Sequence, residues 1–196
     1  IGDAIMALFP LTPINAYNAA IDMNKTLREL NTQYAGQIPQ LKIGIGIHYG
    51  SAMLGIVGQK HRLEGTVISS AVNTAAHVES LTKQYKCSVL TTKDTIAQLA
   101  RSQPFKFRFV DHAFLKSSHS SIELYQLIDA EEEFRKQLLS NYLPLYAYAV
   151  KTYKENDQEN ALKALEEYLD KIDNDFVASR LYNTIKALQN STPKPH

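Results

Sequence analysis

From Leu41 to Ile47 aliphatic residues alternate one for one with Lys42, Gly44 and Gly46, the period-two pattern of a strand with one apolar face and one nearly bare face. A bare face implies that a backbone or a flat ligand lies close against it. Met53 to Val57 reads as the return strand of this one. Phe105, Phe107 and Phe109 alternate with Lys106 and Arg108 to give another strand, and Ile122 to Ile128 gives a further one. Helical periodicity governs Ile14 to Tyr34, where Ile14, Tyr17, Ala20, Ile21, Leu27, Leu30 and Tyr34 form an apolar stripe and Asn18, Asp22, Lys25 and Glu29 face water. A second helix, starting at Ser69 or Ser70 and ending near Tyr85, turns Val72, Ala75, Ala76, Val78 and Leu81 toward the core. Together these elements predict an α+β sandwich: a mixed or antiparallel sheet with helices on one side.

After Asp129 the pattern changes to long helical runs rich in Tyr, Leu, Glu and Lys. Ala161, Leu165, Tyr168, Leu169 and Ile172 make one stripe, and Val177, Leu181, Ile185 and Leu188 another. Asn156-Asp157 and Asp173-Asn174-Asp175 supply helix starts. The chain therefore divides into a sheet-containing domain over 1–129, a helical extension over 130–190 and a frayed, disordered end over 191–196, where Pro193 and Pro195 fall.

A chain of 196 residues with 44% hydrophobic content can bury one full core and a small appendage. Its 21 basic residues against 20 acidic ones leave a net charge of +1, which provides no broad positive field for a nucleic acid or an anionic membrane. A small anionic ligand is still compatible with that balance. Cys87 is the only cysteine; it forms no internal disulfide, reads as core filler and fits a reducing, cytoplasmic setting. No apolar run reaches the roughly 20 residues of a membrane span, and no signal-peptide pattern opens the sequence. Ile1-Gly2-Asp3 leads straight into an apolar run, which reads as a domain lacking its upstream strand and helices.

The second helix carries the candidate chemistry. Ser70, Asn73, His77, Ser80 and Gln84 share one face at spacings of three and four residues. Its first turn offers unpaired N–H groups and the positive end of a dipole, suited to phosphate. On spacing alone a polar, solvent-facing stripe capped by serine explains the same residues. Gly50 to Gly55 spells GSAMLG but is followed by Ile56-Val57, so it has neither the lysine nor the hydroxyl of a P-loop. Asp3, after a glycine, could hold a magnesium ion beside a second carboxylate or simply hydrogen-bond a turn. His48, His61, His112 and His119 have no ligand spacing and read as structural or surface residues.

Taken in order, IGDAIMALFP, GIGIHYGSAMLGIVGQKHRLEGTVISSAVNTAAHVESLTK and FVDHAFLKSSHSSIELYQLI closely resemble the catalytic domain of class III adenylate and guanylate cyclases. The resemblance covers Ile1 to about Ile128. It rests on Gly-Asp before an MA-x-F run, GIH-x-G, G-x-VG, Arg62, the TVI run, the V-N-x-A-A helix and a late Lys, all in the family's order. It implies a ferredoxin-like nucleotide cyclase fold that converts ATP or GTP to the 3′,5′-cyclic monophosphate and pyrophosphate, with two magnesium or manganese ions. It further implies a site shared between two domains, so that the expected partner is a second copy of the chain. On this resemblance Asp3 is the second metal ligand, while the first, like a base-selecting Lys, would lie upstream. Asn73 orients the ribose, Lys116 grips the terminal phosphates, and Ser70, Thr66 and Gly44 border the nucleotide.

Departures from the family's pattern cluster at the same place. The family's Arg one helical turn beyond the Asn is His77 here, a shorter side chain that is not permanently charged. Ser69-Ser70 stands where a Gly-Asp pair reads the purine, Gly65 where an aromatic precedes the Thr, and Ser117 where a Gly follows the Lys. The helical extension resembles a tetratricopeptide-like pair of the kind that follows some bacterial cyclase domains. A single pair is too short to stack into a superhelix and is expected to pack on the sheet domain or its partner's. Two readings follow: a homodimeric nucleotide cyclase impaired by these changes, or a catalytically dead relative that dimerises, binds nucleotide or regulates a partner. The departures tip the balance toward the second for this chain. A diguanylate cyclase is set aside because no GG[DE]EF turn occurs.

Overall fold

The computed structural model of the chain describes residues 4–59, 62–100, 103–115 and 119–191. Four strands form a mixed sheet in the order β1-β4-β6-β5. β1 (Ile45–Ile47) runs parallel to β4 (Val89–Thr92), and β6 (Ser120–Leu127) pairs antiparallel with both β4 and β5 (Phe107–Leu115). β1 is shorter than its alternation predicts. Before it, Leu41 is held by the Asn31 carboxamide, which donates to its carbonyl and accepts from its N–H, each at 2.9 Å; a side chain thus takes the place of a neighbouring strand.

The expected return strand pairs elsewhere. β2 (Met53–Gln59) joins β3 (Arg62–Ile68) in a separate antiparallel ribbon with Gly55 opposite Thr66. Only two residues separate these strands in the chain, so the hairpin closes locally, and β1 takes β4 instead.

Helices cover both faces of the sheet rather than one: β4 turns Val89 to one side and Leu90 to the other, while β1 sets Ile45 and Ile47 on one side and Gly46 on the other. α1 (Ile14–Gln33) places Tyr17 and Ala20 in a core with Ile47, Val89 and Leu127. The Tyr17 hydroxyl shares a 2.8 Å hydrogen bond with Thr91 Oγ1, and its ring packs against Phe105 and Phe107. On the other face α2 (Ser70–Tyr85) contributes Val78 and Tyr85 to a core with Leu90 and Leu124. That core continues without a break into α4 (Glu133–Asn141), α5 (Leu143–Lys154), α6 (Gln158–Lys171) and α7 (Phe176–Ser191). Between β4 and β5 lies the single turn α3 (Lys93–Ile96).

One buried polar cluster ties the helical extension to the sheet. Arg108 of β5, 4% exposed, ion-pairs with the fully buried Asp175, donates to Gln126 Oε1 at 2.7 Å and reaches the Tyr168 hydroxyl at 3.0 Å. Asp175 also accepts from the N–H groups of Val177 and Ala178 and so caps α7. The Tyr146 hydroxyl donates to the Phe109 carbonyl at 2.8 Å. Cys87 is buried in the same core, and burial pushes its thiol up to about 12.

Candidate functional site

Helix α2 begins where its sequence says it should. Ser69 is extended and accepts from Ala71 N at 2.9 Å, a side-chain cap that satisfies one of the first turn's free donors. The same hydroxyl donates to the Ser51 carbonyl at 2.5 Å, pinning the helix start to the loop that follows β1. At the far end Lys86 takes a left-handed conformation, φ 53°, and closes the helix with its N–H on the Thr82 carbonyl.

The bare face of β1, expected to border a nucleotide, is covered by α2 itself. A Cβ on Gly46 would lie 2.3 Å from Glu79 N and 2.4 Å from the Ala75 carbonyl oxygen. On Gly44 it would lie 2.1 Å from Thr82 Oγ1. These glycines therefore let the helix backbone sit against the strand, and on that side of Gly44 the space belongs to Thr82. Thr74 and Thr82 are buried among the helix's own contacts, each donating to its own helix at Ser70 O (3.0 Å) and Glu79 O (2.6 Å). Ala76, expected in the core, is exposed instead.

Held in this way, α2 presents Ser70 and Asn73 exposed and His77 half-buried along one outward face, with Ser80 and Gln84 beyond them. Ser80 Oγ turns back to the His77 carbonyl at 2.7 Å. Among the described residues the Asn73 carboxamide and the His77 imidazole have no hydrogen-bond partner, so an amide donor and acceptor and an imidazole stand one helical turn apart toward the outside. Thr66 lies on β3. Asp3 and Lys116 lie outside the described residues, as does Ser117. Among the described residues no group of three or more His, Cys, Asp or Glu is placed to hold a metal ion, and no helix is long and apolar enough to cross a membrane.

One feature was missed by the sequence reading, and another was read only in general terms. Arg108 occupies a polar position of an alternating strand yet is buried, and its partner lies 67 residues away. His48, read as structural or surface, is half-buried with Nδ1 2.9 Å from Thr92 Oγ1. The only local signal for it is its place at the end of a strand. An open cleft of about 320 Å³ is lined by His112, Glu123, Tyr153 and Lys154, among others; no residue of α2 lines it. Within it the Glu123 carboxyl, which burial alone would raise, is held down to about 2 by hydrogen bonds from Lys154, Lys93 and Tyr125.

Comparison with known proteins gives a consistent answer. The family model described as "Adenylate and Guanylate cyclase catalytic domain" matches residues 1–129. An adenylate cyclase of Dictyostelium discoideum, "terminal-differentiation specific", is 36% identical over 168 residues, 83% of this chain and 8% of that protein. Those 168 residues exceed the 129 of the family match, so the similarity runs on into the helical extension. An adenylate cyclase of Anabaena cylindrica is 38% identical over 134 residues, 65% of this chain and 27% of that protein. The chain thus spans about a quarter or less of these two relatives. A bacterial light-regulated adenylyl cyclase shares the fold, with a TM-score of 0.52 and 24% identity over 65% of this chain and 37% of that one.

Proposed function

Since this chain belongs to the adenylate and guanylate cyclase catalytic domain family, we propose that the outward face of α2 receives a nucleoside triphosphate and takes part in its conversion to a 3′,5′-cyclic monophosphate. The ribose 3′-oxygen attacks the α-phosphorus, the bond from that phosphorus to the bridging oxygen of pyrophosphate breaks, and the 3′-hydroxyl proton leaves to solvent. Asn73, with both donor and acceptor outward, orients the ribose. His77, one turn further, stands beside the reacting phosphate and gives weaker charge stabilisation than a guanidinium would. Ser70 faces the purine, Thr66 borders the nucleotide, and Lys116 takes the terminal phosphates. The family is generally metal-dependent; magnesium or manganese is the proposed ion and Asp3 its proposed ligand, while the described residues offer it no site of their own. A second copy of the chain is the proposed partner, with Asp3 of one facing Asn73 and His77 of the other. A lone buried cysteine agrees with a cytoplasmic setting.

The observation that carries this reading is the α2 face: a capped, glycine-seated helix with Ser70, Asn73 and His77 directed outward. One observation favours the second reading, a domain that binds nucleotide without turning it over, namely the imidazole of His77 where a guanidinium would neutralise phosphate charge. Cyclic AMP and cyclic GMP formation by the full-length protein from manganese ATP and manganese GTP decides between them. The cyclase reading expects product, lowered by about a hundredfold in Asn73→Ala. Nucleotide binding without product would establish the second reading, and neither binding nor product would sink both.

A further inference from the structure

The face of α2 has to be held at a fixed height above the sheet, and the contacts that hold it begin at His48. The residue follows β1, in register with Thr92 because Ile47 pairs with Thr91. Its Nδ1 is 2.9 Å from Thr92 Oγ1. Thr92 Oγ1 is 2.8 Å from Thr95 Oγ1, and Thr95 Oγ1 accepts from Tyr49 N at 2.9 Å. Four groups thus close a ring that draws residues 48 and 49 onto the β4–α3 junction, with both threonines buried.

The buried Thr95 hydroxyl keeps its one proton satisfied by giving it to Thr92 Oγ1, its only acceptor among the described residues, and the direction this favours has Thr92 donating to Nδ1 of a neutral His48. Burial agrees, keeping this histidine below its ordinary range although Asp94 pulls the other way. The far edge of the ring faces the next turn, for a Cβ on Gly50 would lie 3.6 Å from His48 Nε2 and 2.7 Å from Ala71 Cβ. One residue on, the Ser51 carbonyl receives the Ser69 hydroxyl, which caps the helix carrying Asn73 and His77.

Resting on the cyclase reading above, we infer that His48 is a positioning residue for the reaction: by locking the 48–51 loop to β4 it fixes the first turn of α2, and with it the distance of Asn73 and His77 from the nucleotide. The test uses the full-length protein with His48→Leu, which removes the acceptor, His48→Asn, whose amide can replace Nδ1, and Thr92→Val, which removes the donor at nearly constant volume. Turnover of manganese ATP and GTP is measured as kcat and KM, and amide hydrogen exchange is followed over 49–52 and 70–74, with 120–127 as an internal control. His48→Leu and Thr92→Val are each expected to lower kcat about tenfold or more with little change in KM. Both are expected to speed exchange at 70–74 about tenfold while 120–127 keep their protection. His48→Asn restores both readouts to within about threefold of the wild type. Unchanged kcat and unchanged exchange in either folded variant overturns the inference, as does Asn behaving like Leu. Should the wild type form no product, the cyclase reading has failed and the exchange arm alone decides whether His48 holds α2. Should His48→Leu not fold, Thr92→Val carries the same decision.

Discussion

Asp175→Ala should cost the protein about 3–5 kcal/mol, because it leaves the guanidinium of Arg108 charged and buried without its partner. Arg108 is 4% exposed and Asp175 fully buried, and the groups left to Arg108, Gln126 Oε1 and the Tyr168 hydroxyl, are neutral. The same substitution removes the cap of α7, which by itself is worth about 1 kcal/mol. In a chain of this size the melting temperature is expected to fall by roughly 10 °C or more. Replacing both partners by apolar residues, Arg108→Met with Asp175→Leu, should recover most of that loss, since a buried pair stabilises little over well-packed hydrophobic groups while its broken half is expensive. A single Ala variant within about 1 kcal/mol of the wild type would show that the pair does not tie the helical extension to the sheet.

Acid reports on the same contact. Burial alone would raise the Asp175 carboxyl, but Arg108, the α7 N–H groups and Tyr168 outweigh it and hold the group below its ordinary value of 3.8. A folded value below the unfolded one means that the stabilisation is whole above that pH and is lost as the pH falls through the lower, folded value. The wild type should therefore lose stability on acidification below about pH 4 more steeply than the double apolar variant.

His77→Arg is expected to raise product formation by about a hundredfold if α2 forms the phosphate-facing wall of a cyclase site. The position is half-buried, faces outward and, among the described residues, its side chain has no hydrogen-bond partner within the chain, so a longer side chain breaks no existing hydrogen bond. An always-charged planar fork can pair with a phosphate at two points, which an imidazole cannot. The measurement is kcat for cyclic nucleotide formation by the full-length protein, with folding checked by thermal melting. A folded Arg variant no faster than the wild type would mean that His77 does not face the reacting phosphate.

How much of this was legible in the sequence depended on whether the determining contact was local. The limits of α2 could be read because Ser69 caps it from the neighbouring position and its apolar period is local. Its buried threonines could not, since a binary pattern scores Thr74 and Thr82 as polar although each hydroxyl bonds back to its own helix. Gly44 and Gly46 correctly announced a close approach, but what approaches is α2 rather than a ligand, and only the three-dimensional packing separates those cases. The partner of β2 was misread because alternation marks a strand without naming its neighbour. Arg108 looked like an ordinary polar position because its counter-charge comes from an α7 cap 67 residues away. The Asn73 and His77 face was legible as a face, whereas the His48 ring beneath it needs β1 and β4 side by side, a pairing between residues more than 40 apart.

The central claim is that a nucleotide lies against the outward face of α2, and it is tested most directly by a crystal structure of the full-length protein with manganese and a non-cyclisable ATP or GTP analogue. The account predicts the ribose within hydrogen-bond reach of Asn73, the α-phosphate beside His77, and Asp3 of a second copy on the ion. A nucleotide bound elsewhere, with the Ser70, Asn73 and His77 face open to solvent, would contradict it.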